Sequence, residues 1–411
     1  MIGAIFLALI LAIVNQGIFG FFKKRHKFFS VPLMNKLYFY HLIFWLTYYT
    51  YALFNASDSK NYYRNTQDYS GDWLDLYGTS TTFIDFIAYP LTNMMNLPYV
   101  IVMVLFAWLG YLGFIFTYLF FRENIPVKIN LFKKWDFLFI LLFLPNMHFW
   151  TSSLGKGSVI FLGIMMFVYA LKMPKKRWLT LIVGSLIIYH VRPHVFMFMV
   201  VGAGLGFMSG NKKVSTGMKI GAFIIMLVLL LLIQDKVLSV VNLDGSDDVV
   251  NDFQDFTTSR SEGLSEDAGS GVDMANYPLP IKLFTFWFRP LFLDAPGVLG
   301  LIVSAENLLY LLITVKIIKK DFISFIKKSE PLVKMSFVVF LMTSLAMTFV
   351  MSNLGIIMRQ KSMVMYFLFF VIYYYMAEKK YLKILKLRKL KEEDELKNTR
   401  EYSKIISNLP N

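Results

Sequence analysis

Three arginines stand where apolar segments of the chain end. Arg192 and Arg289 are each followed directly by proline, and Arg359 lies in a polar turn. Proline disfavours helix at the residue before it, so the backbone turns at the first two positions. Arginine keeps its charge in apolar surroundings and offers five donors in a planar fork, which suits phosphate or pyrophosphate. The pattern predicts an anion site. The alternatives are snorkelling to lipid headgroups and, for Arg289, an ion pair with Asp294.

Three further cations extend this predicted anion-binding set. Lys156 lies in a turn with hydroxyls and two glycines, where backbone N–H groups open the next helix toward an anion. Lys361 stands two residues after Arg359, and Arg260 lies in a Thr/Ser-containing loop. The Lys156 turn is not a Walker A loop, because the GxxxxGK[ST] spacing after a strand is absent. A plain helix-hairpin turn is the alternative for this segment.

Three side chains are candidates for a general base. His194 follows the Arg192-Pro pair, His148 precedes the Lys156 turn, and Glu306 lies inside an apolar run. A histidine near neutral pH exchanges protons readily, although a lone histidine is more often a structural hydrogen-bonding residue. A buried glutamate is either paired structurally or a proton carrier.

A lipid bilayer must position these residues. Of the 411 residues, 56% are apolar, and the mean hydropathy is +0.54. These values exceed those of a soluble domain of this length. Apolar runs of the roughly 20 residues that cross a bilayer recur throughout, so we predict an all-α, polytopic membrane protein with about eleven transmembrane helices. The predicted spans are 2–22, 36–54, 98–121, 136–152, 157–172, 178–191, 193–209, 219–234, 293–316, 332–351 and 362–377.

Two of these predictions carry alternatives. The segment 178–209 is either two short helices that meet at Pro193 or one kinked re-entrant hairpin. The first run resembles a signal peptide in length, but its basic cluster follows it rather than precedes it. We therefore expect a retained first helix with its N-terminus outside.

The distribution of charge predicts the orientation. The formal net charge is +15, and the cations stand in short clusters between apolar runs, which argues against a nucleic-acid partner. With the N-terminus outside, the inner loops hold 22 of the 42 Lys and Arg residues, the tail holds ten and the outer side holds ten. The absence of cysteine excludes disulfides, thiol catalysis and cysteine metal sites. No metal-ligand pattern is visible, and we expect no metal or cofactor.

These predictions divide the chain into two parts. Residues 1–378 form a transmembrane domain with long outer loops at 55–97 and 234–292, and residues 379–411 form a basic helical tail in the cytoplasm. The stretch 79–96 has the spacing of a short amphipathic outer helix. We expect the end of the second loop, 277–287, to lie against the membrane surface.

Four segments, in order, resemble motifs of the Wzy/EpsG-type bacterial polysaccharide polymerases. They are LPNMHFW at 144–150 with Gly155-Lys156, VRPH at 191–194, FRP at 288–290 with AEN at 305–307, and NLG at 353–355 with RQK at 359–361. The resemblance covers about residues 55–377. Gly157 departs from the pattern, since an acidic residue is expected there.

The resemblance implies a GT-C-like helical membrane fold and a metal-independent glycosyl transfer at the outer leaflet of the bacterial inner membrane. The donor would be a glycan on undecaprenyl pyrophosphate, and the acceptor a lipid-linked repeat unit. Arg192, Arg289 and Arg359 would stabilise the pyrophosphate leaving group, and His194, His148 or Glu306 would be the base. Membrane lipid and a chain-length regulator or flippase are the implied partners.

Three other functions remain open at this point. A ligase that moves a finished glycan to another acceptor would use nearly the same site. A flippase or transporter for lipid-linked oligosaccharide would need charges along a path through the membrane, where Glu306 is almost alone. A structural or assembly subunit would present a featureless outer surface.

Overall fold

The computed structural model describes residues 1–131, 134–209, 215–240, 271–272, 274, 277–295, 297–351 and 353–407. These residues are mostly helical, which confirms an all-α membrane protein in its main architecture. One short antiparallel hairpin, β1 (Asn130–Leu131) and β2 (Trp135–Asp136), interrupts the helices. Arg260 and the acidic and Gly/Ser-rich part of the loop 234–292 lie outside the described residues.

The helices of the first half of the chain lie within and around the predicted outer segment, 55–97. They are α1 (Ile2–Arg25), α2 (Val31–Phe54), α3 (Asp58–Gln67), α4 (Thr81–Tyr89), α5 (Tyr99–Asn124), α6 (Phe137–Leu142) and α7 (Pro145–Thr151). A 3-10 turn at Trp73–Leu76 and a π-helical turn at Pro90–Met94 flank α4. The predicted amphipathic outer helix is thus present, and the sequence analysis missed α3.

The helices of the second half end in one very long element. They are α8 (Lys156–Leu171), α9 (Trp178–Val191), α10 (Pro193–Met208), α11 (Thr216–Val240), α12 (Leu279–Phe288), α13 (Gly297–Thr314), α14 (Phe322–Lys328), α15 (Pro331–Val350) and α16 (Leu354–Ser407). The segment 178–209 consists of two helices that meet at Arg192, as the first of the two alternatives expects.

Within the described ranges, four helices are long and apolar enough to cross a bilayer. A fifth, bent span is counted if the two legs of α16 are taken together. The four are Ile2–Arg25, Tyr99–Asn124, Gly297–Ile317 and Pro331–Phe349. The other predicted spans correspond to helices that are shorter or more polar. The chain is therefore a membrane protein, and the count of eleven spans stays a prediction.

One predicted span and one predicted turn have a different local structure. The span 136–152 is interrupted, because α6 ends at Leu142 and α7 begins at Pro145, whose ring is tolerated in a first turn but not inside a helix. The predicted turn at 353–361 is wrong, since it is helical. Asn353 caps it by accepting a hydrogen bond from the Gly355 N–H at 2.8 Å. This leg, Leu354–Lys361, meets the rest of α16 at 51°.

The last part of the predicted second outer loop forms α12, which packs on α15. Its position against the membrane surface stays a prediction. The Trp287 ring stacks on Phe340 at 5.2 Å, and its Nε1 donates to Ser344 Oγ at 2.9 Å. Thr285 and Phe286 are fully buried in this contact region. The tail, by contrast, is helical as predicted, because α16 continues through Ser407.

The core is centred on α5, which packs against α8 and α7. Close approach depends on small residues, as is usual between membrane helices. A Cβ at Gly110 would overlap the carbonyl oxygen of Thr151 in α7, and one at Gly113 would meet the Phe161 ring of α8 at 2.6 Å. This packing fixes the turn that leads into Lys156.

We predict that Gly110→Ala destabilises the protein by roughly 1–3 kcal/mol, because α5 and α7 must separate. Gly17→Ala is the matched control, since a Cβ at this helical glycine meets nothing within 4 Å. Thermal unfolding of the detergent-purified protein measures both. Equal melting temperatures for the two variants would contradict the close packing of α5 on α7.

Candidate functional site

The first leg of α16 connects four other parts of the molecule. Arg359 forms an ion pair with Asp58 at the start of α3, and Gln360 accepts a hydrogen bond from Arg192. Met358 contributes its carbonyl oxygen, which accepts from the Asn146 side chain of α7 at 3.0 Å. Successive residues on a helix point in different directions, so one turn contacts several elements.

Lys361 is the last residue of this leg, and its side chain lies in the protein interior. It is fully buried, and its ammonium donates to Asn307 Oδ1 at 2.6 Å and to the Arg289 carbonyl oxygen at 2.8 Å. Both hydrogen bonds of the Lys361 ammonium are made within the protein, so Lys361 links α16 to α13 and to the end of α12 in this structure. Because Lys361 has no exposed surface, it does not face an anion site in this structure, contrary to the expectation from the sequence.

Lys156, Arg192 and Arg359 converge at one end of the helices, and we call them the outer cation cluster. Lys156 lies at the start of α8, Arg192 at the α9–α10 junction and Arg359 on the first leg of α16. Arg192 and Arg359 act electrostatically on Lys156, and Arg359 acts on Arg192. Three of the six cations in the predicted anion-binding set are thus close together.

Each member of the outer cation cluster contacts an acceptor of the protein. The Lys156 ammonium donates to Ser80 Oγ at 2.8 Å and to Thr81 Oγ1 at 2.9 Å, at the start of α4. Arg192 donates to Gln360, while its Nε is buried without a hydrogen-bond partner. Because the three positive charges repel one another, these acceptors are needed to hold them in place.

Arg289 pairs with a carboxylate outside this cluster. Its Nε donates to Asp294 Oδ2 at 2.5 Å, and Asp294 Oδ1 also accepts the Leu291 N–H. The Arg–Asp pair considered as the alternative role is therefore formed. Burial lowers the pKa of the Arg289 guanidinium, but its interactions with Asp294 and Tyr277 outweigh this effect, so the pKa is raised overall. Any anion at Arg289 would have to compete with Asp294.

His148 is buried among aromatic residues. Its Nε2 lies 2.7 Å from the Leu142 carbonyl oxygen, and its Nδ1 lies 2.8 Å from Nδ1 of His41. The ring stacks on Phe114 at 4.0 Å. With both nitrogens engaged and no exposed surface, His148 is a structural histidine in this conformation.

Glu306 is engaged in a similar way. Its Oε2 accepts the Asn146 N–H at 2.9 Å, its Oε1 accepts from the Tyr310 hydroxyl, and its exposure is 5%. The third base candidate, His194, lies within electrostatic reach of Arg192 and Lys156, and its Nδ1 is buried without a hydrogen-bond partner. Of the three, His194 alone adjoins the outer cation cluster.

A narrow pocket lies beside Arg192, between α8, α10, α15 and α16. Its polar lining is Arg192, Gln360 and Thr343, and its remaining lining is apolar: Ile164, Val195, Val339, Met347, Met363, Val364 and Phe367. Its free volume of about 20 Å³ holds little more than one water molecule, so a lipid chain would enter only if the lining helices moved apart.

Sequence reasoning missed two residues of this region. Asp58 and Asp85 were not singled out, although Asp85 stands one turn after Thr81 on the same face of the predicted outer helix. That spacing was the one available signal. Among the described residues, no group of three or more His, Asp or Glu side chains is arranged to hold a metal ion.

Comparison with protein-family models, curated proteins and solved structures finds no match to this chain. The fold and the site by themselves define an all-α membrane protein with a cluster of cations and an adjoining apolar pocket.

We predict that Lys361→Met lowers the stability of the protein, because Asn307 Oδ1 and the Arg289 carbonyl are left without their donor. Leaving one such buried group unpaired costs about 1–3 kcal/mol. Lys379→Met, on the same helix, is the control. Lys379 pairs with Asp321 at 2.6 Å in an exposed position, where ion pairs contribute little. A melting temperature unchanged by Lys361→Met would argue against its linking role.

Proposed function

We propose that this protein is a glycan polymerase that joins undecaprenyl-pyrophosphate-linked oligosaccharide repeat units at the outer leaflet of the bacterial inner membrane. The observation that carries the proposal is the convergence of Lys156, Arg192 and Arg359 from three separate parts of the chain. These cations fall in three of the four segments that resemble the Wzy/EpsG-type polymerases.

The chemistry of the outer cation cluster suits a pyrophosphate leaving group. In the transition state, negative charge grows on the leaving oxygen, and fixed cations stabilise it more than they stabilise the bound substrate. Ser80, Thr81 and Gln360 are uncharged acceptors, so phosphate oxygens would replace them favourably. The Asp58 carboxylate is exchangeable too, because its side chain is 58% exposed.

Two neighbouring features support a lipid-linked sugar. The apolar pocket beside Arg192 would accept the first part of an isoprenoid chain once the lining helices move apart, while the Arg192 guanidinium meets the phosphate. The Arg359 guanidinium lies over the Trp150 ring at 5.8 Å, so a sugar held by the cluster would be close to an aromatic side chain. Arg289 contributes to the substrate only after release from Asp294, so we give it a secondary role.

The proposal includes the membrane arrangement inferred from the sequence. It has about eleven spans in a GT-C-like fold, with the N-terminus outside and the basic tail in the cytoplasm. The outer cation cluster and the segment 55–97 then face the same side. A flippase that delivers repeat units and a chain-length regulator are the expected protein partners.

Replacement of a cluster residue should abolish polymer growth. We expect Arg192→Ala and Arg359→Ala each to slow chain extension by about 10²-fold, as the loss of one fixed transition-state donor does. Surface-glycan length in a deletion strain carrying each variant measures this. Arg64→Ala is the control, because Arg64 is an exposed cation of the same outer segment. Normal polymer length in both cluster variants, at normal protein levels, would refute the proposed function.

The orientation is testable because the chain contains no cysteine. We expect Asn61→Cys, exposed on α3, to react with an impermeant maleimide added to intact cells or spheroplasts. Lys397→Cys, exposed on the tail, should react only after permeabilisation. The reverse pattern would refute the proposed orientation without bearing on the geometry of the site.

A further inference from the structure

Asp85 is a buried carboxylate with no evident structural task. It lies on α4 one turn beyond Thr81, which binds the Lys156 ammonium, so both residues occupy the same helix face. Asp85 is 7% exposed, and its Oδ1 is buried without a hydrogen-bond partner. Buried polar atoms are nearly always hydrogen-bonded, so an orphaned carboxylate oxygen calls for an explanation.

Several other ionisable groups lie on the elements packed around α4. They include Asp58 and Tyr62 of α3, Lys156 of α8, His190 of α9, and Asp72 and Asp75 at the 3-10 turn. Lys156 and Tyr62 interact electrostatically with Asp85. The Asp75 carboxylate accepts the Asp72 N–H at 3.3 Å, and His190 lies 2.8 Å from the Tyr77 hydroxyl. None of these contacts supplies a hydrogen bond to Asp85.

Burial has a measurable consequence for this side chain. It raises the pKa of Asp85 to about 6, and the nearby Lys156 charge opposes part of that rise. A carboxyl group outside the membrane-spanning helices with such a pKa exchanges protons close to neutral pH, which is the range in which a general base is effective.

From this placement we propose that Asp85 is the general base that accepts the proton of the acceptor hydroxyl. The inference rests on the proposed function, because it assigns a role within the same outer site. It replaces His148 and Glu306 in that role, since both are fully engaged in hydrogen bonds, and it competes directly with His194.

The step balances with groups that are present. The acceptor oxygen attacks the anomeric carbon of the donor glycan and forms the new glycosidic C–O bond, while its proton passes to the Asp85 carboxylate. The bond between the anomeric carbon and the pyrophosphate oxygen breaks, and its electron pair leaves with the pyrophosphate, next to Lys156. Asp85 then releases the proton to water on the outer side.

The test is the pH profile of chain extension in spheroplasts or right-side-out vesicles, where the outer face takes the pH of the buffer. For the wild type, activity should fall as the pH decreases through about 6, because protonated Asp85 accepts no proton. Asp85→Asn should lower the rate at pH 7.5 by about 10²–10⁴-fold and abolish this limb. Asp85→Glu should retain the limb at a reduced rate. Asp75→Asn, at an exposed carboxylate of the same segment, should leave the rate and profile unchanged.

Stability distinguishes this role from a structural one. Between about pH 4 and pH 6 the unfolded chain has Asp85 ionised while the folded protein keeps it protonated, so raising the pH across that window destabilises the folded state. Asp85→Asn should remove this dependence and leave the melting temperature at pH 7.5 equal to or above that of the wild type. A lower melting temperature would indicate a structural carboxylate and overturn the assignment.

The outcomes separate the two proposals. If Arg192→Ala abolishes extension but Asp85→Asn keeps the wild-type rate and acid limb, the assignment of Asp85 fails and the polymerase proposal stands. If the limb disappears with His194→Gln instead, His194 is the base and Asp85 is not. If Arg192→Ala and Arg359→Ala extend glycan normally, the proposed function itself fails.

Discussion

The geometry of the outer cation cluster depends on a single buried amino group, that of Lys361. Lys361 is fully buried, and a charge in such surroundings is tolerated only when fixed donors and acceptors surround it. Asn307 and the Arg289 carbonyl provide the acceptors, and Glu306, the residue before Asn307, lies within electrostatic reach. This requirement fixes the rotation and depth of the first leg of α16.

Once Lys361 fixes the rotation of that leg, the directions of the preceding side chains on it are fixed as well. Arg359 must face α3 and Gln360 must face the α9–α10 junction, since each helical residue is turned about 100° from the last. The outer cation cluster is therefore held together by a buried contact that is not itself part of the cluster. Preorganisation of this kind spares the site the cost of gathering like charges during a reaction.

The sequence predicts the parts of this arrangement that local rules govern. The Arg192-Pro193 pair required a break between two helices, and the break is present. Long-range partners follow from no local rule: Arg359 and Asp58 are 301 residues apart in the chain, and Arg192 and Gln360 are 168 apart. The leg at 353–361 was misread as a turn because its polar residues suit solvent, whereas the structure buries Lys361 inside it.

Gly157 shows how one small residue shapes the electrostatics of the site. The resemblance to the polymerases leads one to expect an acidic residue beside Lys156, but a Cβ at 157 would overlap the carbonyl oxygen of Trp150. The close turn between α7 and α8 thus leaves no room for a side chain there. The carboxylates that act on Lys156 come from other elements: Asp58 on α3 and Asp85 on α4, whose start is anchored to Lys156 by the hydroxyls of Ser80 and Thr81. The same tight turn that excludes an acid at position 157 therefore leaves the segment 55–97 as a source of negative charge beside Lys156.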